Sequence, residues 1–188
     1  TFTNKAAGEL KERIVRMLGE DGNDIWAGTF HSDCGRFLRH DAERIGYDRH
    51  FSIYDTDDSK RVMKECLKEL SIEEKYLPVK SVLSAISSAK DSLLSPDEYE
   101  KSVGSDFRMQ KIAQAYRLYQ KKLISANAMD FDDMIFNAVR LLRENEDIKE
   151  YYNSKFKYIM VDEYQDTNHA QYVLVKLLAD GYKNLCVV

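Results

Sequence analysis

Apolar side chains at Ala6, Ala7, Leu10, Ile14, Met17 and Leu18 recur every three or four residues. That spacing predicts a helix over 4–18, with Gly19 placed to end it. "IWAGTF", 25–30, is a compact apolar run and predicts a short buried strand. "HSDCGRFLRHDAERIG" then predicts a second helix, with Cys34, Phe37, Leu38 and Ile45 facing inward. From Tyr47 to about Ala126 the pattern is almost wholly helical. Asp55-Thr56-Asp57 can cap a helix carrying Val62, Met63, Cys66, Leu67 and Leu70. Pro78 suits the first turn of a helix with Val79, Val82, Leu83 and Ile86 on one face. "SPDE", 95–98, has capping-box spacing, and 107–124 is one long helical pattern. "DFDDMIFNAVRLLRE" is a helix capped by Asp130. It is followed by a strand "FKYIMVD", a helix "NHAQYVLVKLLAD" ended near Gly181, and a strand "NLCVV".

Strands alternating with helices on either side of a helical block predict an α/β fold. It would have a parallel sheet and an all-helical insertion. The corresponding division is 1–46, 47–126 and 127–188. Composition agrees with a packed domain: 44% of the 188 residues are hydrophobic and 32% charged, which excludes a disordered chain. No apolar run reaches the roughly 18–20 residues of a membrane span. Cys34, Cys66 and Cys186 are far apart and lack metal-ligand spacing, so they are expected to be reduced core residues of a cytosolic protein. A net charge of −4 gives no bulk argument for nucleic-acid binding, which would need a local patch. The abrupt opening "TFTNKAA" and the apolar ending "NLCVV" suggest a piece of a longer protein.

Chemistry concentrates in "KYIMVDEYQDTN", 157–168, where an apolar strand runs directly into two acids. Ligands of parallel sheets gather at the carboxyl ends of strands. Asp162 at such an end can hold a Mg²⁺ that bridges nucleotide phosphates. Glu163, one residue on, can orient or deprotonate an attacking water. The alternative is that the acids are merely solvated and that Asp166 or Thr167 caps the next helix.

"VDEYQDTNHAQY" resembles motif II of superfamily 1 DNA helicases of the UvrD/Rep/PcrA type nearly letter for letter. "TFTNKAAGELKERI" at 1–14 resembles their motif Ia, and "GTFHS" at 28–32 their motif Ib. "NAMDFDDMI" at 127–135 resembles the segment that precedes motif II. The four occur in the family's order and span the chain. The insertion, with "FSIYDTDDS" and "AISSAKDSLLSPDEY", looks most like the PcrA branch.

The resemblance implies a partial RecA-like sheet, subdomain 1A, with 47–126 as the helical subdomain 1B. It implies an ATP- and Mg²⁺-dependent parent acting on single-stranded DNA and single-strand/duplex junctions in the bacterial cytoplasm, associated with the nucleoid, with other repair or replication proteins as possible partners. In motif II it implies Asp162 for Mg²⁺, Glu163 for water activation, and Gln165 and Asp166 for linking nucleotide to DNA. In motif Ia, Phe2 would stack on or abut a base while Thr1, Thr3, Asn4 and Lys5 lie near the backbone. Stacking one base on an aromatic is worth about 1–3 kcal/mol whatever the sequence. The local alternative for Phe2 is a hydrophobic staple onto its helix. Motif Ib would add Thr29, Phe30 and His31 at a phosphate, the alternative for His31 being a neutral capping residue. Asp132 and Asp133 either support the junction between the parts or simply favour a helix N-terminus. The basic helix, with Arg108, Lys111, Arg117, Lys121, Lys122, Tyr116 and Tyr119, is a candidate duplex contact or a solvated face with its tyrosines in the core.

Departures from the family matter as well. The chain contains no G-x-x-x-x-G-K-[ST]. The resemblance places that P-loop upstream of motif Ia, and motif III beyond "LCVV". The 188 residues by themselves are therefore expected to hydrolyse no ATP, to bind neither ATP nor Mg²⁺ stably, and to bind DNA weakly. The sheet part is expected to expose unpaired edges and to be less ordered than the helical part. Two rival parents are a helicase–nuclease of the AddA/RecB kind and an ATPase-dead DNA or protein adaptor.

Overall fold

The computed structural model describes all of residues 1–188. Helix α1 (Asn4–Leu18) begins where the Thr3 hydroxyl accepts the Ala6 N–H at 3.2 Å. It ends at Gly19, whose φ of 65° is open to glycine without strain. In the 3-10 turn that follows (Gly19–Asp24), Lys11 Nζ gathers the carbonyls of Gly22, Asn23 and Ile25 at 2.9, 2.8 and 2.7 Å.

The strand expected at 25–30 is not formed. Residues 25–28 have no ladder partner, and Thr29 is already the N-cap of helix α2 (Phe30–Asp41). A reciprocal Thr29–Ser32 capping box, at 2.9 and 3.2 Å, satisfies the first free N–H groups of that helix. A strand needs a neighbour, whereas this cap is complete within four residues. Gly28 permits the close packing, because a Cβ there would lie 2.6 Å from Ser32 Oγ.

Strand β1 (Ser52–Ile53) pairs in parallel with β2 (Ala128–Met129), Ser52 opposite Ala128. Between them lie α3 (Thr56–Glu69), α4 (Val79–Asp91), α5 (Pro96–Ser102) and α6 (Phe107–Ser125). The helical reading of 47–126 holds for the body of the block but did not foresee this short ladder at its base. Ser95 forms the expected capping box with Glu98, and Asp55 caps α3 as expected, there too in a capping box, with Asp58. Pro78 is the N-cap of α4, one residue before the first turn, where its missing N–H is equally harmless.

Next come α7 (Phe131–Glu144), capped by Asp130, and α8 (Glu146–Lys155). Helix α8 escapes the sequence pattern because it buries only Ile148 and Tyr152 among polar neighbours. Strand β3 (Ile159–Val161), α9 (His169–Ala179) and β4 (Leu185–Val187) close the chain, β3 and β4 being parallel with Ile159 opposite Leu185. The architecture is α/β with a helical insertion.

Two hydrophobic cores form. One joins Phe37 and Leu38 of α2 to Ala138 and Leu141 of α7, Tyr152 of α8 and Leu174 of α9. The other joins Met63 and Leu67 of α3 to Ile86 of α4 and to Tyr116, Tyr119 and Leu123 of α6. The apolar face of α1 departs from expectation: only Ala7 is buried, and Met17 is 83% exposed. Its neighbour is the 3-10 turn rather than either core. Cys34 and Cys66 are buried free thiols, but Cys186, expected in the core, is exposed on β4.

Candidate functional site

The apolar run of β3 ends at buried Val161, and Asp162 follows at its carboxyl end, exposed to solvent. Asp162 Oδ1 accepts the Glu163 N–H at 3.1 Å. Glu163 has φ 54° and ψ 41°, a left-handed conformation rare for a residue with a side chain. Such strain persists only where neighbours enforce it. Here they do: Val188 N–H donates to the Val161 carbonyl at 3.0 Å, and Tyr164 N–H donates to the Val188 carbonyl at 2.8 Å. These two bonds, in line with β4, hold the chain on either side of the Asp-Glu pair. A 3-10 turn (Tyr164–Asp166) follows, closed by the Thr167 hydroxyl on the Tyr164 carbonyl at 2.8 Å. Gln165 and Asp166 are exposed on it. The cap of α9 is neither Asp166 nor Thr167 but Asn168, in a capping box with Gln171.

The donor set fits a shared Mg²⁺ rather than a self-sufficient metal site. Asp162 keeps one oxygen free of protein partners. Mg²⁺ is ordinarily held by one or two carboxylates with waters and phosphate oxygens. Asp162 and Glu163 are both exposed at the carboxyl end of β3.

A second group gathers at the start of the chain. The Thr1 amine donates to the Gly28 carbonyl at 3.2 Å, and the Phe2 ring packs on Phe30 at 5.6 Å. The segments "TFTNK" and "GTFHS" thus lie side by side. Phe2 and Phe30 are half-buried, Thr3 caps α1, and Asn4 and Lys5 are exposed in its first turn. Thr29 is buried, its hydroxyl engaged by the Ser32 N–H. His31 does not cap α2; its ring stacks on Phe131 at 4.1 Å. Burial lowers its pKa, against the pull of Asp132 and of a hydrogen bond to the Phe131 backbone. No hydrogen bond or ion pair joins this group to residues 162–166.

Two of the five cations of the basic helix α6 are paired with neighbouring acids, while Arg108, Lys111 and Lys121 make no ion pair. Arg117 pairs with Asp97 and with Glu100 (2.7 Å), and Lys122 with Glu69 (2.9 Å). Tyr116 and Tyr119 are in the core.

Sequence reasoning missed Lys90. Its ammonium is fully buried between Asp130 (2.7 Å) and Asp133 (2.8 Å), the two residues of the α7 capping box. Tyr119 donates to Asp130 at 3.0 Å and Gln120 to Asp133 at 3.0 Å. Burial opposes the Lys90 charge, but the two carboxylates outweigh it and hold the pKa well above the ordinary lysine value. Of the two acids in question, Asp133 reaches across to the helical block and Asp132 makes no ion pair. The signal was legible: Lys90 continues the Val82–Ile86 stripe, where a lysine on a buried face demands a partner.

The whole chain, residues 1–188, matches the family described as UvrD/REP helicase N-terminal domain. Among curated proteins it is 50% identical over all 188 residues to the ATP-dependent DNA helicase PcrA of Bacillus subtilis (strain 168) and covers 25% of that protein. It is 48% identical, again over its full length, to the PcrA proteins of Staphylococcus epidermidis and Staphylococcus aureus, covering 26% of each. The chain thus spans about a quarter of the length of the curated relatives it matches.

Proposed function

Because the chain belongs to the UvrD/REP helicase N-terminal domain family, we propose that it is part of an ATP-driven motor. The motor moves on single-stranded DNA and opens duplex ahead of it. Residues 1–46 and 127–188 are the share of its first motor subdomain, and 47–126 are the helical insertion. The observation that carries this reading is the Asp162–Glu163 pair at the carboxyl end of β3, with Glu163 held left-handed by the ties to Val188.

Asp162 would hold the Mg²⁺ that accompanies ATP, and the charge neutralisation at the phosphates would be what that ion supplies when bound. Glu163 holds the attacking water and takes its proton. Gln165 and Asp166, on the following turn, couple this end of the sheet to the DNA track. Phe2, supported by Phe30, abuts a base. Thr1, Thr3, Asn4 and Lys5, with Thr29 and neutral His31, line the sugar–phosphate path. A half-buried aromatic beside hydroxyls and one lysine suits a strand held without regard to sequence. The 188 residues lack a P-loop sequence, so in isolation they hydrolyse no ATP. No helix is long and apolar enough to cross a membrane.

The test is single-strand-stimulated ATP hydrolysis by the full-length protein that contains this segment, with Glu163→Gln alongside. The expected result is strong DNA-stimulated turnover, lost by about 10²-fold or more in the variant, as for removal of a group that activates the nucleophile. A folded full-length protein without turnover would reduce it to a DNA- or protein-binding adaptor. DNA-independent hydrolysis by the 188-residue chain would overturn the dependence on the P-loop.

A further inference from the structure

The carboxyl end of α4 lies where the two hydrophobic cores meet. Leu93 packs on the core that includes α2, α7 and α9, and Leu94 on the core of α3, α4 and α6. Leu93 is left-handed, φ 58°. The Leu94 N–H returns to the Ala89 carbonyl at 2.9 Å and the Leu93 N–H to that of Lys90 at 2.9 Å, so the helix end is locked by a Schellman pair. Tyr116 of α6 fastens the Leu94 carbonyl at 3.0 Å.

From this fixed end two adjacent side chains reach in different directions. Lys90 enters the α7 cap described above. Asp91 accepts the Asn168 Nδ2–H at 2.6 Å. Asn168 is also engaged on its other side: its Oδ1 accepts the Gln171 N–H at 2.9 Å and its backbone N–H donates to Gln171 Oε1 at 3.0 Å. Only two residues separate Asn168 from Gln165, and Thr167 closes the turn that follows Glu163.

We propose that Asp91 is a positioning residue for the Asp162–Glu163 pair: through Asn168 it fixes the turn 164–167 to the helical insertion, so that the insertion and the catalytic acids move as one body. The inference rests on the function proposed above for the acids, but the contact itself does not. An ordinary N-cap needs only the side-chain oxygen of Asn168. The amide nitrogen is spent on a residue 77 positions earlier, in the insertion. A charge-assisted bond of this kind is stronger than a neutral one. It also ties an element of one core to an element of the other from within the stretch 161–172 that holds the acids.

Asp91→Ala removes the acceptor, and Asn168→Asp keeps a capping oxygen while removing the donor. Combining Asp91→Asn with Asn168→Asp exchanges donor and acceptor and restores the bond. Hydrogen exchange on the 188-residue chain is the first readout. In each single variant the amides of Tyr164, Asp166 and Thr167 should exchange about tenfold faster, a factor in keeping with one lost hydrogen bond to a charged group. Amides of α6 should be unchanged, and the double variant should return to the wild-type rates. In the full-length protein, kcat for DNA-stimulated hydrolysis should fall in the single variants with KM for ATP unchanged, and recover in the double. Unaltered exchange at 164–167, or acceleration spread evenly over the chain without rescue, would overturn the proposal. If the full-length wild type shows no turnover, the helicase reading fails, and the exchange data still decide whether Asp91 holds the turn.

Discussion

Asp133 is fully buried beside Asp130 and Lys90, so this cluster takes two negative charges and one positive charge into the interior. Taking ions out of water is costly, and Lys90 can balance only one of the acids. For Asp130, burial is outweighed by the ammonium, by the Asp133 N–H and by the Tyr119 hydroxyl, and its pKa is lowered. For Asp133, burial and the Asp130 charge prevail and push it up to about 6, above the ordinary 3.8. Between those values the native state holds a proton that the unfolded chain has lost. The stabilisation from Asp133 is therefore complete below the unfolded pKa and lost as pH rises through about 6. Asp133→Asn is expected to destabilise the chain at about pH 4.5, where it disturbs hydrogen bonds without removing a charge. That deficit should shrink by on the order of 1–3 kcal/mol by about pH 7.5. Urea midpoints of both proteins across this range measure it, and a deficit independent of pH would mean that Asp133 does not titrate there.

At the level of elements, caps decide more than propensity does. The same reciprocal pattern of side chain and third-residue backbone starts α2, α3, α5, α7 and α9. The Thr29 cap also replaces a strand that the apolar run "IWAGTF" had suggested. Thr29→Ala is expected to cost about 1 kcal/mol, since it removes the side-chain acceptor of the Ser32 N–H at a partly buried helix start. A thermal or urea melt measures this. A variant as stable as wild type would mean that the α2 start is held by packing alone. Helices with well-marked caps and apolar stripes were legible beforehand. Helix α8, whose N-cap Asn145 turns its side-chain amide back to the Leu141 carbonyl and accepts no N–H of α8, was not.

For the molecule as a whole, a net charge of −4 means that DNA affinity must come from local groups rather than from the overall field. Arg117 and Lys122 of α6 are already paired with acids. The 188-residue chain should accordingly bind a single strand weakly, with log affinity falling by about 0.7 per phosphate contact for each decade of salt. Fluorescence anisotropy across a salt series reads that slope. Tight, salt-independent binding would contradict the proposed path along residues 1–5 and 29–31.

Local chemistry determined much of this protein from sequence alone. The helical block, its caps, the strand entering Asp162 and Glu163, and the order of motifs all follow from patterns that need only near neighbours in the chain. Only the tertiary structure decided what depends on distant partners. Residues 25–28 found no strand to pair with, whereas Ser52 and Ile53 found Ala128 and Met129. Cys186 lies on an exposed strand. Lys90 meets Asp130 and Asp133 some forty positions on, and Asp91 meets Asn168 still farther away. A buried charge or a lone strand states in sequence that a partner is needed; which partner supplies it is fixed only when the chain has folded.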